Sequence, residues 1–178
     1  MIIQNLNSEE EVANQTEVIF KKLYQEKKRI LRGFFPTGRS AEGFYQKLRN
    51  DLPFWQKKFQ VIQIDEFIGS ERLFYSSLRH LVLEPLSLLS QVEAIDPLWN
   101  DAQIKTHIQK TLSEPIDFAL LGLGPNGHVG FHEPHITDSP FYGGRVLLSD
   151  ESFKRVANAP SQTALTFGAA SFLKAEKI

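Results

Sequence analysis

The stretch that most constrains this chain runs from Leu120 to Pro134. Leu120-Leu121 closes an apolar run that begins at Phe118 and stops abruptly at Gly122-Leu123-Gly124. A polar, glycine-broken loop follows, carrying an imidazole at His128 and a carboxylate at Glu133. In an α/β protein a buried strand hands over to a site loop in this way, because ligands sit beyond the carboxyl ends of the strands. A run apolar on both faces is also what a central parallel strand needs.

The rest of the chain alternates accordingly. Ser8 to Lys27 reads as an amphipathic helix, with Ser8 as cap, Glu9 to Glu11 in the first turn, and Val12, Val18, Ile19 and Leu23 on its apolar stripe. Helices are also expected over Ala41 to Leu48 (apolar face Phe44, Tyr45, Leu48), from about Ser70 to Leu83, and over Asp101 to Leu112 behind Asn100 or Asp101 as cap. Strands are expected at Arg29 to Phe35, Phe59 to Ile64, Val92 to Ile95, Phe118 to Leu123, Arg145 to Leu148 and Thr163 to Phe167. The order predicts a doubly wound α/β fold, Rossmann-like and three-layered: a mostly parallel sheet with helices on both faces, in a single domain over residues 1–178.

Composition narrows the partners. A net charge of −1 gives no bulk pull toward nucleic acid or an anionic membrane, so an anion site has to be local. With no cysteine there is no disulfide, thiolate zinc site or cysteine nucleophile, which fits a reducing cytoplasm. No stretch approaches the ~20 apolar residues of a membrane span. Met1 to Gln15 is polar and acidic, unlike a targeting peptide.

Three polar clusters each follow an expected strand, and parallel strand ends share one rim, so the clusters are expected to meet. Thr37-Gly38-Arg39-Ser40 precedes a helix and offers backbone N–H groups and hydroxyls, the parts of a phosphate cradle; a plain helix-capping turn reads equally well from this segment alone. The lysine of a P-loop is absent. Asp65 and Glu66 are adjacent, so only one of them should enter a given site. A carboxylate at a dry strand end can have its pKa tuned for proton abstraction; an Asx-type turn or helix cap reads about as well from this segment alone. His128 and Glu133 are close enough in sequence to pair, which would orient the imidazole tautomer. His128, His132 and His135 have zinc-helix spacing, but Gly127, Gly130 and Pro134 rule against a helix, so no metal is expected.

Together the clusters resemble the sugar-phosphate isomerase family that includes glucosamine-6-phosphate deaminase and 6-phosphogluconolactonase. Asp65-Glu66-Phe67-Ile68-Gly69 is similar to the deaminase segment Asp-Glu-Tyr-Val-Gly. The stretch Gly124 to Pro134 is similar to Gly-Asn-Asp-Gly-His-Ile-Ala-Phe-Asn-Glu-Pro, and Pro36 to Ser40 to Pro-Thr-Gly-Gly-Thr. Arg155-Val156-Ala157-Asn158 and Ala164-Leu165-Thr166-Phe167-Gly168 match in order, and the Phe131-x-Glu133-Pro134 ending favours the deaminase branch.

The resemblance implies conversion of glucosamine 6-phosphate to fructose 6-phosphate and ammonia in the cytoplasm, with no metal or organic cofactor. Asp65 would move the C2 proton, and His128, oriented by Glu133, would assist ring opening. Thr37, Gly38, Arg39 and Ser40 would hold the phosphate. The implied partner is a small sugar phosphate, with neither nucleic acid nor membrane; a homo-oligomer is left open.

Four departures bear on this. Asn126 stands where the family carries an Asp of its His–carboxylate group, removing a charge that would stabilise an imidazolium. Arg39 replaces a glycine of the phosphate loop, where a guanidinium could add a phosphate contact or equally block the close backbone approach that a glycine permits. No Arg follows Asn158, where the deaminases use one. Ala175 to Ile178 ends the sequence where family members enter a further strand and helix, so the domain is expected to lack that segment. Two other readings remain beside the deaminase one: a 6-phosphogluconolactonase-type hydrolase using His128 as base, and a non-catalytic sugar-phosphate binder.

Overall fold

The computed structural model describes residues 4–69, 71–156 and 158–178. Ser70, the expected start of one helix, and Ala157 of the Arg155–Asn158 match lie outside the described residues, as do residues 1–3. Ser8 caps α1 (Glu9–Lys27) by accepting the Glu11 N–H. The buried face of α1 is Ala13, Phe20 and Leu23, whereas Val12, Val18 and Ile19 are exposed. The helix is thus turned by about one residue from the expected stripe. Phe20 carries the larger apolar area, and its ring packs 4.7 Å from that of Phe44 and 4.6 Å from that of Phe118.

β1 (Leu31–Phe35) leads through a short 3-10 turn, Arg39–Ala41, into α2 (Glu42–Asn50) and α3 (Leu52–Trp55). β2 (Phe59–Gln63) then pairs in parallel with β1, Leu31 opposite Phe59. β3 (Asp65–Phe67), α4 (Leu73–Leu78) with a wide helical turn at Arg79–Leu83, β4 (Val92–Glu93), α5 (Asp101–Leu112) and β5 (Phe118–Ala119) follow. Of the two expected caps Asn100 is the one used, and it forms a reciprocal capping box with Gln103 at the start of α5. The chain then runs through β6 (Gly143–Leu147), α6 (Asp150–Arg155), β7 (Thr163–Phe167) and α7 (Ala169–Phe172).

The parallel sheet has the order β4-β2-β1-β5. Its strands are buried because both faces are covered. Leu31, Phe35, Phe59 and Val61 pack with α1, α2 and the Arg79–Leu83 turn. Phe34, Ile62 and Ile64 pack with Ile104 and Ile108 of α5, Leu165 and Phe167 of β7, and Phe172. This is the three-layer α/β arrangement expected, with one addition: a second, antiparallel sheet of order β3-β7-β6 helps to cover the second face.

Two elements differ from expectation, and both shape the site. Asp65 to Phe67 is a strand rather than a loop, paired antiparallel with Ala164 to Thr166. Asp and Glu are poor strand formers, but β7 offers a template and tertiary pairing overrides propensity. Phe118 to Leu123 is a strand only over its first two residues. Its partner β1 ends at Phe35, and Pro36 has no N–H to extend the ladder. After Leu120 donates to the Phe34 carbonyl at 3.1 Å the chain leaves the sheet, so that Leu123 is 77% exposed. At the other edge of β5, Lys177 pairs in parallel with Phe118.

Candidate active site

The carboxyl ends of β1, β2 and β5 open into a cleft of about 720 Å³. Thr37 to Ser40, Asp65, Gly122 to Pro125 and His128 all line it, so the three clusters separated in sequence share one cavity. Glu133 does not line it.

Asp65 sits where the chain passes from one sheet to the other. Ile64 between β2 and β3 accepts the Phe167 N–H at 2.9 Å, and the buried Gln63 side chain donates to the Asp65 carbonyl at 2.9 Å, pinning the crossing. Burial, with the neighbouring Glu66 charge adding to it, pushes the Asp65 carboxyl up to about 8. The adjacent residue goes to the opposite side, as strand alternation requires: Glu66 accepts the N–H groups of Phe74 and Tyr75 at 3.0 and 2.8 Å and so anchors the start of α4.

The His128 ring is held by its own loop. Gly127 donates to the Gly124 carbonyl and Gly124 to the His128 carbonyl, closing a tight turn. A Cβ at Gly124 would lie 2.2–2.4 Å from three atoms of the imidazole, so only glycine lets the ring lie against this backbone. Gly130 plays the matching part for Asp65: it has φ +58°, and a Cβ there would meet Ile64 at 2.9 Å and the Asp65 carboxylate at 3.5 Å.

The partner of His128 is Asn126 and not Glu133. Nδ1 lies 2.6 Å from Asn126 Oδ1. Glu133, 1% exposed, instead accepts the backbone N–H of Ser149 at 2.7 Å and its hydroxyl at 3.2 Å, and lies 3.3 Å from His135 Nδ1. Its burial works against ionisation, but hydrogen bonding by Ser152 and Ser149 prevails and draws its pKa below the usual range. Ser149 caps α6, so Glu133 ties the His128 loop to that helix. The expected direct pairing fails because the Glu133 carboxylate is taken up by Ser149, while Phe131 two residues before it packs against Phe67 and Phe74. The other two histidines are engaged elsewhere. His132 Nδ1 accepts the Ala169 N–H at 3.0 Å, and His135 Nε2 lies 3.2 Å from the Leu147 carbonyl. Among the described residues no three potential ligands cluster as a metal site would require.

Gly38 is extended immediately before the Arg39–Ala41 turn, and the N–H groups of Thr37 and Gly38 find no backbone acceptor among the described residues. With the Ser40 hydroxyl and the exposed Arg39 they offer donors at one end of the cleft. Two lining residues escaped the sequence reading of the site. Ser152, buried on α6, accepts from Asn126 Nδ2 at 3.4 Å, and no motif marks it. Arg155 lines the cleft while paired with Glu151, and its place in the Arg155–Asn158 match was the signal available.

No protein-family model matches the chain. In sequence it is 29% identical to glucosamine-6-phosphate deaminase of Streptococcus pyogenes serotype M1, over 80% of this chain and 64% of the relative. It is 27% identical to the enzyme of that name from Streptococcus sanguinis SK36, over 99% of this chain and 78% of the relative. The chain thus spans less than two thirds of the length of the S. pyogenes relative. In structure it superposes on a monomeric glucosamine-6-phosphate deaminase with TM-score 0.80 and 22% identity, covering 98% of this chain and 79% of the other. The 6-phosphogluconolactonase of Leishmania guyanensis has the same fold, with TM-score 0.69 at 19% identity, covering 99% and 78%.

Proposed function

We propose that this chain, a relative of the glucosamine-6-phosphate deaminases by sequence and by fold, carries an aldose–ketose isomerase site that releases ammonia from glucosamine 6-phosphate. Residues 1–178 form its sugar-phosphate isomerase domain in this reading.

The observation that carries the reading is the position of Asp65. Its carboxyl is buried at the cleft, raised to about 8, and has no side-chain hydrogen-bond partner among the described residues. Such a group is mostly protonated at neutral pH and becomes a base only when a cation comes beside it. The C2 ammonium of an amino sugar is that cation, and it sits on the carbon whose proton must move. A neutral sugar or a lactone brings no such charge, so the deaminase reading accounts for Asp65 where lactone hydrolysis does not.

The steps follow. His128 Nε2 exchanges protons with the ring and anomeric oxygens as the sugar opens. The Asp65 carboxylate removes the C2 proton of the open-chain aldehyde while the C1 oxygen takes up the proton that the ammonium gives up, leaving an enolamine, and the proton held by Asp65 then returns at C1 to give the iminium of the ketose. Water adds at C2, and ammonia departs with the nitrogen, giving fructose 6-phosphate. The Thr37–Ser40 turn and its free N–H groups receive the phosphate, whose negative charge suits oriented backbone donors and a guanidinium. The proton transfers, the addition of water and the loss of ammonia use side-chain acids and bases alone, and the cysteine-free composition fits a cytoplasmic setting. Incubation with glucosamine 6-phosphate should yield ammonia and fructose 6-phosphate in equal amounts. A sugar-phosphate-dependent rise in melting temperature with no ammonia would assign the protein to non-catalytic binding instead, and hydrolysis of 6-phosphogluconolactone without deamination would assign it to the lactonases.

A further inference from the structure

The loss of the family's Asp at position 126 leaves an amide beside the imidazole, and an amide can present either its oxygen or its nitrogen. Only one choice serves the cleft. With Oδ1 toward the ring, Nδ1 carries the proton and Nε2 is left as an acceptor. With Nδ2 toward the ring, Nδ1 must accept and Nε2 is left carrying the proton.

We propose that Ser152 is a positioning residue that fixes the orientation of the Asn126 amide and thereby holds His128 as the Nδ1–H tautomer, with Nε2 free to take a proton in the cleft.

Three contacts converge on this orientation. His128 Nδ1 lies 2.6 Å from Asn126 Oδ1. The backbone N–H of His128 points at the same oxygen from 3.4 Å, so a reversed amide would set two donors against each other there. On its far side Asn126 Nδ2 donates to the buried Ser152 hydroxyl oxygen at 3.4 Å. The buried Glu133 carboxylate beyond it accepts from Ser149, and the Ser152 hydroxyl helps to draw its pKa down. The order of donation runs His128 to Asn126 and Asn126 to Ser152. This role rests on His128 acting in the cleft as proposed above, but the tautomer itself does not depend on any substrate.

The test is ¹⁵N NMR of the histidine rings in the full chain, at a pH above the imidazole titration. In the wild type, His128 is expected to show a protonated Nδ1 and an unprotonated Nε2. Ser152→Ala should give a mixture of tautomers at His128 while the signals of His132 are unchanged, and Ser152→Thr, which keeps the hydroxyl, should restore the single form. In turnover, Ser152→Ala should lower kcat roughly two- to tenfold with KM held, as the competent fraction falls. A wild-type His128 protonated at Nε2, or a Ser152→Ala protein with the wild-type tautomer, would overturn the proposal. Since the wild-type spectrum needs neither variant nor substrate, absence of ammonia release would count against the deaminase reading alone.

Discussion

His128 Nδ1 lies 2.6 Å from Asn126 Oδ1, so the imidazole is held closely by a partner that carries no charge. A neutral acceptor fixes the ring but does little for the imidazolium that forms when His128 takes a proton. A charged acceptor makes a hydrogen bond about twice as strong. Asn126→Asp should therefore raise turnover by about tenfold. Steady-state kinetics from pH 5 to 9 would show it; an unchanged rate in a folded variant would mean that ring opening does not limit this site.

Asp65 predicts a pH dependence of opposite kinds in activity and stability. Its folded pKa, about 8, lies above the ordinary value of 3.8. Between those values the native protein holds a proton that the unfolded chain gives up. The group's contribution to stability is therefore complete below about pH 4 and is lost as pH rises through 8, with a slope of up to ~1.4 kcal/mol per pH unit. Activity at low substrate should rise over the same upper range as the base ionises. Asp65→Asn should abolish turnover yet flatten this decline in stability, measured as denaturant midpoints at pH 5 and pH 8.

Glu133 behaves in the reverse sense. Its pKa is lowered in the folded protein, so its stabilisation is present above the ordinary carboxyl range and is lost as pH falls. Glu133→Ala strands the N–H of Ser149, the residue whose hydroxyl caps α6, and should cost about 1–3 kcal/mol in urea unfolding. It should also weaken catalysis, because Ser152 and Arg155 ride on the same helix.

Arg39 and Arg155 are the guanidinium groups that line the cleft among the described residues. Each should contribute to binding a phosphate more than to the chemistry. Arg39→Gly and Arg155→Ala should raise KM about tenfold with kcat nearly unchanged, and the effect should shrink as salt is added, since both side chains are largely exposed.

What could be read from the sequence was whatever depends on local pattern. The cap at Ser8, a cap at Asn100 or its neighbour, the parallel strands and the meeting of Thr37–Ser40, Asp65 and His128 on one rim follow from periodicity and strand-end topology. The division of labour between Asp65 and Glu66 followed from strand alternation, although the segment itself was expected to be a loop. What depends on distant partners was not legible. β5 stops early because of Pro36, some 80 residues away, and Asp65–Phe67 becomes a strand because β7 arrives beside it. Glu133 illustrates the limit most clearly. Its nearness to His128 in sequence suggests a direct pair, yet its hydrogen-bond partner is Ser149, the cap of a helix that reaches the loop only through the fold.

The most direct test of the account is exchange of the C2 proton. In D₂O, with fructose 6-phosphate and ammonia supplied so that the reaction runs toward the amino sugar, the wild-type protein should place deuterium at C2 of glucosamine 6-phosphate, read by proton NMR. Asp65→Asn, confirmed as folded, should place none. Exchange that survives in Asp65→Asn, or a wild-type protein that handles the sugar phosphate without any exchange at C2, would contradict the central claim that Asp65 is the base of an isomerase.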